Sequence, residues 1–156
     1  MLFKDYHIWP MYIGLKTYTR RLWKRPHVKV GGSYDVTHIM MYSPEDVVGT
    51  IVVEDLYRQP LGMMTAVDAM CEGGYSLKQY YDVLANIHKK NGGGPASFLI
   101  DIPYVVKFRF SLSDLVDGNG GTENIELYHQ VWIEHMKGIG LTDKEIRDLD
   151  KCTEGK

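Results

Sequence analysis

The sequence predicts an α+β fold built around one hydrophobic core. Of its 156 residues, 44% are hydrophobic, which is enough for one core and hardly for two. Short segments rich in β-branched and aromatic residues alternate with segments that begin like helices. A helical pattern follows the glycine-rich DGNGG stretch, so we expect a mixed body at 1–112 and a linker with a C-terminal helical extension at 113–156.

Five segments have the composition and alternation of β-strands. The strongest are 33–42 and 47–57, separated by the turn sequence SPED, and we expect them to form an antiparallel pair. The other strand segments lie at 2–4, 17–23 and 104–110. Between the strand segments at 2–4 and 17–23, we expect a helical or turn segment that ends at Gly14. RPHVKVGG then forms a loop that closes at Gly31 and Gly32.

Capping residues mark the starts of two helices in the body. Thr65 with Asp68, and Ser76 with Gln79, place an N-cap side chain three residues before a partner. These pairs predict helices that begin near Ala66 and Leu77. The glycine-rich NGGGP at 91–95 predicts the end of the second helix.

The C-terminal segment carries one apolar stripe at helical spacing. Its members recur three and four residues apart: Ile125, Tyr128, Trp132 and Met136. We expect this stripe to pack on the body, and the alternative is that it forms a homodimer interface. A second helix should start at Thr142, capped by Glu145.

Composition restricts the function to a few classes. The formal net charge of -2 argues against coating a polyanion with the whole surface, so any nucleic-acid contact needs a local patch. Charges and a proline interrupt the N-terminal apolar residues, so we expect neither a signal peptide nor a membrane span. Cys71 and Cys152 read as free thiols of a reducing compartment, which favours a cytoplasmic protein. The His residues lack ligand spacing, and we expect neither a metal nor a cofactor.

Positive charge is concentrated in GLKTYTRRLWKRPHVKV, residues 14–30. Six Lys or Arg side chains lie between Lys16 and Lys29, with Tyr18 and Trp23 among them and no carboxylate. One interpretation is a solvated edge strand, where Lys and Arg prevent pairing with other strands. The other is a surface for single-stranded nucleic acid, which needs cations for phosphates and rings for bases.

The pattern G-x-K-T-x-T-x-R in GLKTYTRR, formed by Gly14, Lys16, Thr17, Thr19 and Arg21, resembles the ASCH domain, the activating signal cointegrator homology family of PUA-like proteins. The resemblance continues through RLWKRPHVKVGGSYDV, YRQPLGMMTAVDAMCEGGYSL and YVVKFRF, in order over residues 1–110. It implies a small β-barrel flanked by helices, with a cleft lined by the Gly-x-Lys loop and a Glu-bearing helix.

The same resemblance implies that RNA or a modified nucleoside is the partner. Related PUA-like domains bind RNA, some members are ribonucleases, and small bacterial members hydrolyse N4-acetylcytidine with a Lys, a Thr three residues later and a distant Glu. The matching positions here are Lys16, Thr19 and Glu72. An amidohydrolase of this type is our leading hypothesis, and a non-catalytic RNA-binding module or a ribonuclease is the alternative.

Amide hydrolysis assigns a role to each residue of this trio. The Thr19 hydroxyl can be the nucleophile if a nearby base takes its proton. Lys16 can be that base only if burial or neighbouring positive charge brings its pKa well below about 10.4. Glu72 would then protonate the leaving amine or position a water. The reverse assignment, with Glu72 as base and Lys16 stabilising the oxyanion, fits the same residues.

The ligand-binding surface should include further residues of the basic stretch and of the YRQ segment after the strand at 47–57. Arg21 is the expected anion anchor, because a guanidinium can grip phosphate or carboxylate with two hydrogen bonds. Trp23 is either a stacking surface or a core residue. The full set of expected binding residues is Thr17, Arg20, Arg21, Trp23, Lys24, Arg25, Tyr57 and Arg58.

Overall fold

The computed structural model describes residues 1–90, 101–113 and 121–152, and it has a mixed α+β fold. Four strands form one antiparallel sheet in the order β1, β4, β3, β2. Their bounds are β1 Tyr18–Arg21, β2 Ser33–Val36, β3 Gly49–Arg58 and β4 Tyr104–Leu112. This sheet and the helices around it confirm the α+β prediction. Within the described residues the sheet is open, and the predicted closure into a barrel is not seen.

Five α-helices accompany the sheet in the described part of the chain. They are α1 Ile8–Tyr12, α2 Ala66–Cys71, α3 Leu77–Lys90, α4 Gly121–Gly138 and α5 Asp143–Lys151, with short 3-10 turns at Asp5–His7, Pro44–Asp46 and Leu61–Met63. None of these helices is long and apolar enough to cross a membrane.

The helix starts that capping residues predict are confirmed. The Thr65 hydroxyl accepts a hydrogen bond from the Asp68 amide at 3.2 Å, and α2 begins one residue after Thr65. Ser76 and Gln79 make the equivalent pair before α3. Thr142 caps α5 in the same way. The stop NGGGP lies outside the described residues, as does DGNGG except for Gly121, which begins α4.

Three predicted strands are shorter in the structure. Residues 33–42 were expected to be extended, but β2 ends at Val36, which pairs with Gly49 at the very start of β3. β3 begins at Gly49 and offers no partner beyond this pair. Thr37 instead forms an isolated parallel bridge with Leu2. The strand expected at 2–4 is reduced to this bridge. The chain then continues as a loop in which Met40 is 86% exposed. The strand expected at 17–23 is limited to β1.

The C-terminal helices complete the hydrophobic core. Trp132 and Met136 of the predicted stripe are buried with Leu15 and Tyr75 of the body, and α4 packs against the 3-10 turn and α1 near the N-terminus. Trp9 of α1 donates a hydrogen bond to Asp150 of α5 at 2.9 Å. The stripe is therefore core within this chain. The expected boundary at 112/113 adjoins residues 114–120, which lie outside the described residues.

Candidate functional site

The backbone brings Lys16 beside Glu72. Gly14, at φ +75°, turns the chain after α1, and the Lys16 amide then donates to the Pro10 carbonyl at 2.7 Å. Lys16 and Glu72 form an isolated antiparallel bridge, in which the Thr17 amide donates to the Cys71 carbonyl at 2.9 Å. Two residues far apart in sequence are thus held together by main-chain contacts before their side chains interact.

Two glycines allow Glu72 to end α2 at this position. Gly73 and Gly74 have φ values of +136° and +89°, a region that residues with a side chain rarely adopt. A Cβ atom on Gly74 would also lie 2.9 Å from a methyl group of Leu15. The Glu-Gly-Gly sequence therefore turns the chain sharply and packs its backbone closely against the core.

The Glu72 carboxylate lies between two buried cations. Lys16 Nζ donates to Glu72 Oε2 at 3.0 Å, and Arg20 Nη1 donates to Glu72 Oε1 at 2.6 Å. Lys16 Nζ also donates to the main-chain carbonyls of Tyr18 at 2.9 Å and Glu72 at 2.8 Å. Lys16 and Glu72 are each 2% exposed. All three hydrogens of the ammonium group are therefore used within the protein.

A second layer of polar side chains holds Arg20. Its Nη2 donates to Gln59 Oε1 at 2.5 Å and lies 3.8 Å from Asp68 Oδ1. Asp68 is itself held by the Thr65 amide at 2.7 Å. The two cations thus face two carboxylates, as a buried ionic group requires. Arg20 Nε is buried and has no hydrogen-bond partner among the described residues.

Burial changes the proton affinity of this group of residues. It lowers the pKa of the Lys16 ammonium, against the opposing attraction of Glu72, and the positive charges of Arg21 and Arg20 lower that pKa further. Burial raises the pKa of Tyr80, and the charge of Glu72 and a hydrogen bond with it act in the same direction. The pKa of Lys16 is thus shifted in the direction that a lysine base requires.

Thr19 is buried next to this network without contacting it. It lies on β1, is 3% exposed and pairs with Val106. Side chains alternate along a strand, so Thr19 points to the face opposite Arg20, whose guanidinium reaches Glu72. Within the described residues, Lys16 Nζ contacts the carbonyl of Tyr18 and not the Thr19 hydroxyl. The structure brings Lys16 and Glu72 together and leaves Thr19 beside them.

The other expected binding residues face different surroundings. Thr17 and Lys16 line one cavity of 340 Å³. Arg21 turns towards the N-terminus, where its Nη2 donates to the Leu2 carbonyl at 2.9 Å and its guanidinium lies over the Phe3 ring.

The remaining expected binding residues lie along the loop after β1 and at the end of β3. Trp23 is half-buried against His27, whereas Lys24 and Arg25 are exposed. Arg58 is exposed, donates to the Ile102 carbonyl at 2.8 Å and lies over the Tyr104 ring, and Tyr57 is half-buried. The basic stretch therefore does not form one surface.

Sequence reasoning missed three residues of the network. Gln59 was part of the YRQ segment but was not assigned to the site, Asp68 was recognised only as a capping partner, and Tyr80 carried no signal at all. Each acts on Arg20 or Glu72 from another element, which one-dimensional patterns do not reveal. No cluster of metal-ligating side chains occurs in the part of the chain that the structure describes.

The fold is similar to that of one solved structure of a DUF984 protein. Protein EF3133 from Enterococcus faecalis V583 superimposes with a TM-score of 0.52, covering 73% of this chain and 74% of that chain. The sequence identity is 15%, so the similarity concerns the fold alone. No family model matches the sequence, and comparison with curated proteins finds no match.

Proposed function

We propose that this protein is an ASCH-type, PUA-like domain that acts on RNA or modified nucleosides and hydrolyses the amide of N4-acetylcytidine. The observation that carries the proposal is the buried Lys16 ammonium 3.0 Å from the Glu72 carboxylate, in surroundings that lower the pKa of Lys16. Strongly perturbed ionisable groups are concentrated at functional sites. The motifs that resemble the family contain both residues.

The geometry favours Lys16 as the base. Glu72 also bonds to Arg20 and Tyr80, but a guanidinium keeps its proton and the pKa of Tyr80 is raised, so the proton that Glu72 takes is the one that Lys16 donates to Oε2. Transfer of that proton leaves a neutral Lys16 amine and a protonated Glu72. The Glu72 residue is only 2% exposed and its carboxylate is bonded at both oxygens, which makes the reverse assignment less favourable.

A balanced reaction follows from this proton transfer. The Lys16 amine takes the hydroxyl proton of Thr19 while Thr19 Oγ attacks the acetyl carbon. The C–N bond then breaks, and the leaving amine of cytidine receives the proton held by Glu72. Water hydrolyses the acetyl ester to acetate and restores the Thr19 hydroxyl. The first step requires β1 to rearrange when substrate binds, so that this hydroxyl moves from the opposite face of the strand and replaces the Tyr18 carbonyl as a neighbour of Lys16 Nζ.

The test is turnover of N4-acetylcytidine, followed as cytidine by chromatography and as released acetate. We expect Lys16→Met and Thr19→Ala to lower kcat by about a hundredfold or more, since each removes a group that moves a proton or forms a bond. Thr19→Ser should keep part of the activity. Lys144→Ala, which changes an exposed cation of α5 outside the site, is the matched control. No turnover by the wild type, or full activity of Thr19→Ala, would overturn this mechanism.

A binding module without chemistry is the second candidate, and one specific observation favours it. The three ammonium hydrogens of Lys16 are all bonded within the protein, and none reaches Thr19. Such a domain would bind RNA without turnover, with an affinity that falls steeply as salt is added. RNA fragments that appear with wild type and disappear with Lys16→Met would instead identify a ribonuclease.

A further inference from the structure

Arg21 separates two neighbouring cavities beside the N-terminal segment. The larger, of 650 Å³, is lined by Phe3, Lys4, Tyr6, His7 and Arg21 among others and is called here the cation cavity. The smaller, of 320 Å³, is lined by Arg21, Trp23, His27 and Tyr34 among others and is called the tryptophan cavity. We propose that the two cavities together bind a nucleotide, with its phosphate in the cation cavity and its base in the tryptophan cavity.

The cation cavity has positive groups without carboxylate partners. Within the described residues, neither Lys4 nor Arg21 forms an ion pair. The nearby Asp5 carboxylate lies 2.9 Å from His38 Nδ1. His38 Nε2 contacts the Tyr128 hydroxyl at 2.9 Å, so both ring nitrogens of His38 serve the structure. The cavity-lining groups that can contact an anionic ligand are therefore Lys4, Arg21 and the imidazole of His7.

The charges around His7 also favour an anion in this cavity. Burial lowers the pKa of His7, and the positive charges of Lys16, Arg21 and Lys4 lower it further. A group that is surrounded by cations loses its proton more easily, and the same surroundings stabilise an incoming negative charge.

Arg21 is held in a position to serve both cavities. Its Nη2 donates to the Leu2 carbonyl at 2.9 Å, and its guanidinium lies 5.1 Å from the centre of the Phe3 ring. In the described part of the chain its other N–H groups make no hydrogen bond within the protein. A guanidinium that is fixed at one edge and free at the others suits a phosphate, which accepts two parallel hydrogen bonds.

The tryptophan cavity has a volume and an aromatic lining that suit a planar ring. Trp23 meets His27 edge-on with ring centres 5.1 Å apart, and the Tyr34 hydroxyl accepts a hydrogen bond from the Lys29 amide at 2.9 Å. Nucleobases stack on aromatic side chains with little dependence on base identity. The volume is at the lower end of the range for small ligands, about 300 Å³ and above, which suits a base better than a larger group.

This nucleotide site is separate from the Lys16–Glu72 network. The cavity that contains Lys16 and Thr17 shares no lining residue with the cation cavity or the tryptophan cavity. The inference therefore stands whether or not the protein hydrolyses an amide, and it can be tested with a ligand that offers no acetyl group.

Calorimetric titration with cytidine 5′-monophosphate, cytidine and inorganic phosphate tests the proposal at low salt. We expect the nucleotide to bind about tenfold or more tightly than cytidine, because a charge-assisted contact to phosphate adds that much. Lys4→Ala and Arg21→Ala should remove this advantage and leave the affinity for cytidine unchanged. Trp23→Leu should weaken both ligands. A short oligocytidylate that displaces the nucleotide would identify RNA as its source, and no displacement would identify the free nucleotide.

Matched variants keep the outcome clear. Lys144→Ala removes an exposed cation of α5 that lines neither cavity and should bind the nucleotide like the wild type. Because Arg21 also supports the N-terminal segment, Lys4→Ala, at an exposed position, is the decisive variant. Equal affinity for nucleotide and nucleoside, or unchanged nucleotide binding in Lys4→Ala, would overturn the proposal.

Discussion

The basic stretch at 14–30 divides into two regions with opposite surroundings. Lys16 and Arg20 are buried and share the Glu72 carboxylate, whereas Lys24 and Arg25 lie exposed on the loop that follows β1. The residue types are the same and the positions are only a few residues apart. The two regions differ in how far their charges are exposed to solvent and in whether a carboxylate pairs with them.

A high density of charged residues in a sequence therefore does not by itself define a binding surface. A buried cation without its carboxylate costs several kcal/mol, whereas an exposed cation contributes little to stability. The buried region is therefore fixed by its ion pairs, whereas the charges of the exposed region contribute little to the fold. Four measurements on variants test this difference.

Removing the shared carboxylate should have the largest effect. We expect Glu72→Ala to lower the free energy of unfolding by about 3–5 kcal/mol, because it leaves Lys16 and Arg20 buried without their counter-ion. Urea denaturation measures the change. A loss below about 1 kcal/mol, the size typical of exposed pairs, would show that the two regions do not differ in this way.

The glycine turn that positions Glu72 should be the next most sensitive feature. Gly74→Ala places a Cβ atom 2.9 Å from Leu15 at a φ of +89°, and we expect a loss of about 1–3 kcal/mol in the free energy of unfolding. The matched control is Gly138→Ala at the end of α4, where no atom lies within 4 Å of the added Cβ. Equal stability of the two variants would contradict the role of the turn.

The cations around His7 should make stability depend on pH. Because the pKa of His7 is lowered in the folded state, the unfolded chain binds more protons below about pH 6.5. The free energy of unfolding should therefore fall as the pH falls through this range, by at most about 1.4 kcal/mol per pH unit for this histidine, and level off below the folded pKa. Burial lowers the pKa of His135 and acts in the same direction.

Urea denaturation between about pH 5 and pH 8 measures this slope, and His7→Asn should reduce it. A variant with the wild-type slope would assign the acid sensitivity to other groups. The comparison between wild type and variant is needed because His135 contributes in both proteins.

Exposed cations of the loop should have the smallest effect. We expect Lys24→Ala and Arg25→Ala to change the free energy of unfolding by no more than about 0.5 kcal/mol, since neither residue is buried or paired in the described structure. Thermal or urea denaturation gives the value. A larger loss in either variant would mean that the loop has a structural role.

Local signals in the sequence predicted much of the fold. The helix starts after Thr65, Ser76 and Thr142 depend on contacts three residues apart, which a sequence displays directly. The end of β2 at Val36 could not be found in this way, because it is set by where β3 begins on the other side of the pair. Continued β-type composition after Val36 therefore led to a strand that was too long.

The candidate site was predictable only in part. The resemblance to a family placed Lys16 and Glu72 in one site, and the structure brings them into contact. Spacing alone carried no sign of their approach, which depends on the bridge between two segments. Gln59 was not assigned to the site for the same reason, because its partner Arg20 lies on β1, 39 positions earlier in the chain.

The bridge between Lys16 and Glu72 has a consequence for how the site is acquired. Their side-chain bond spans 56 positions of the chain, so closing it requires most of the topology to be in place. The Thr17 amide, which donates to Cys71 across this bridge, should exchange with deuterium only as fast as the whole domain opens. The ion pair between Lys16 and Glu72 should consequently form among the last events of refolding.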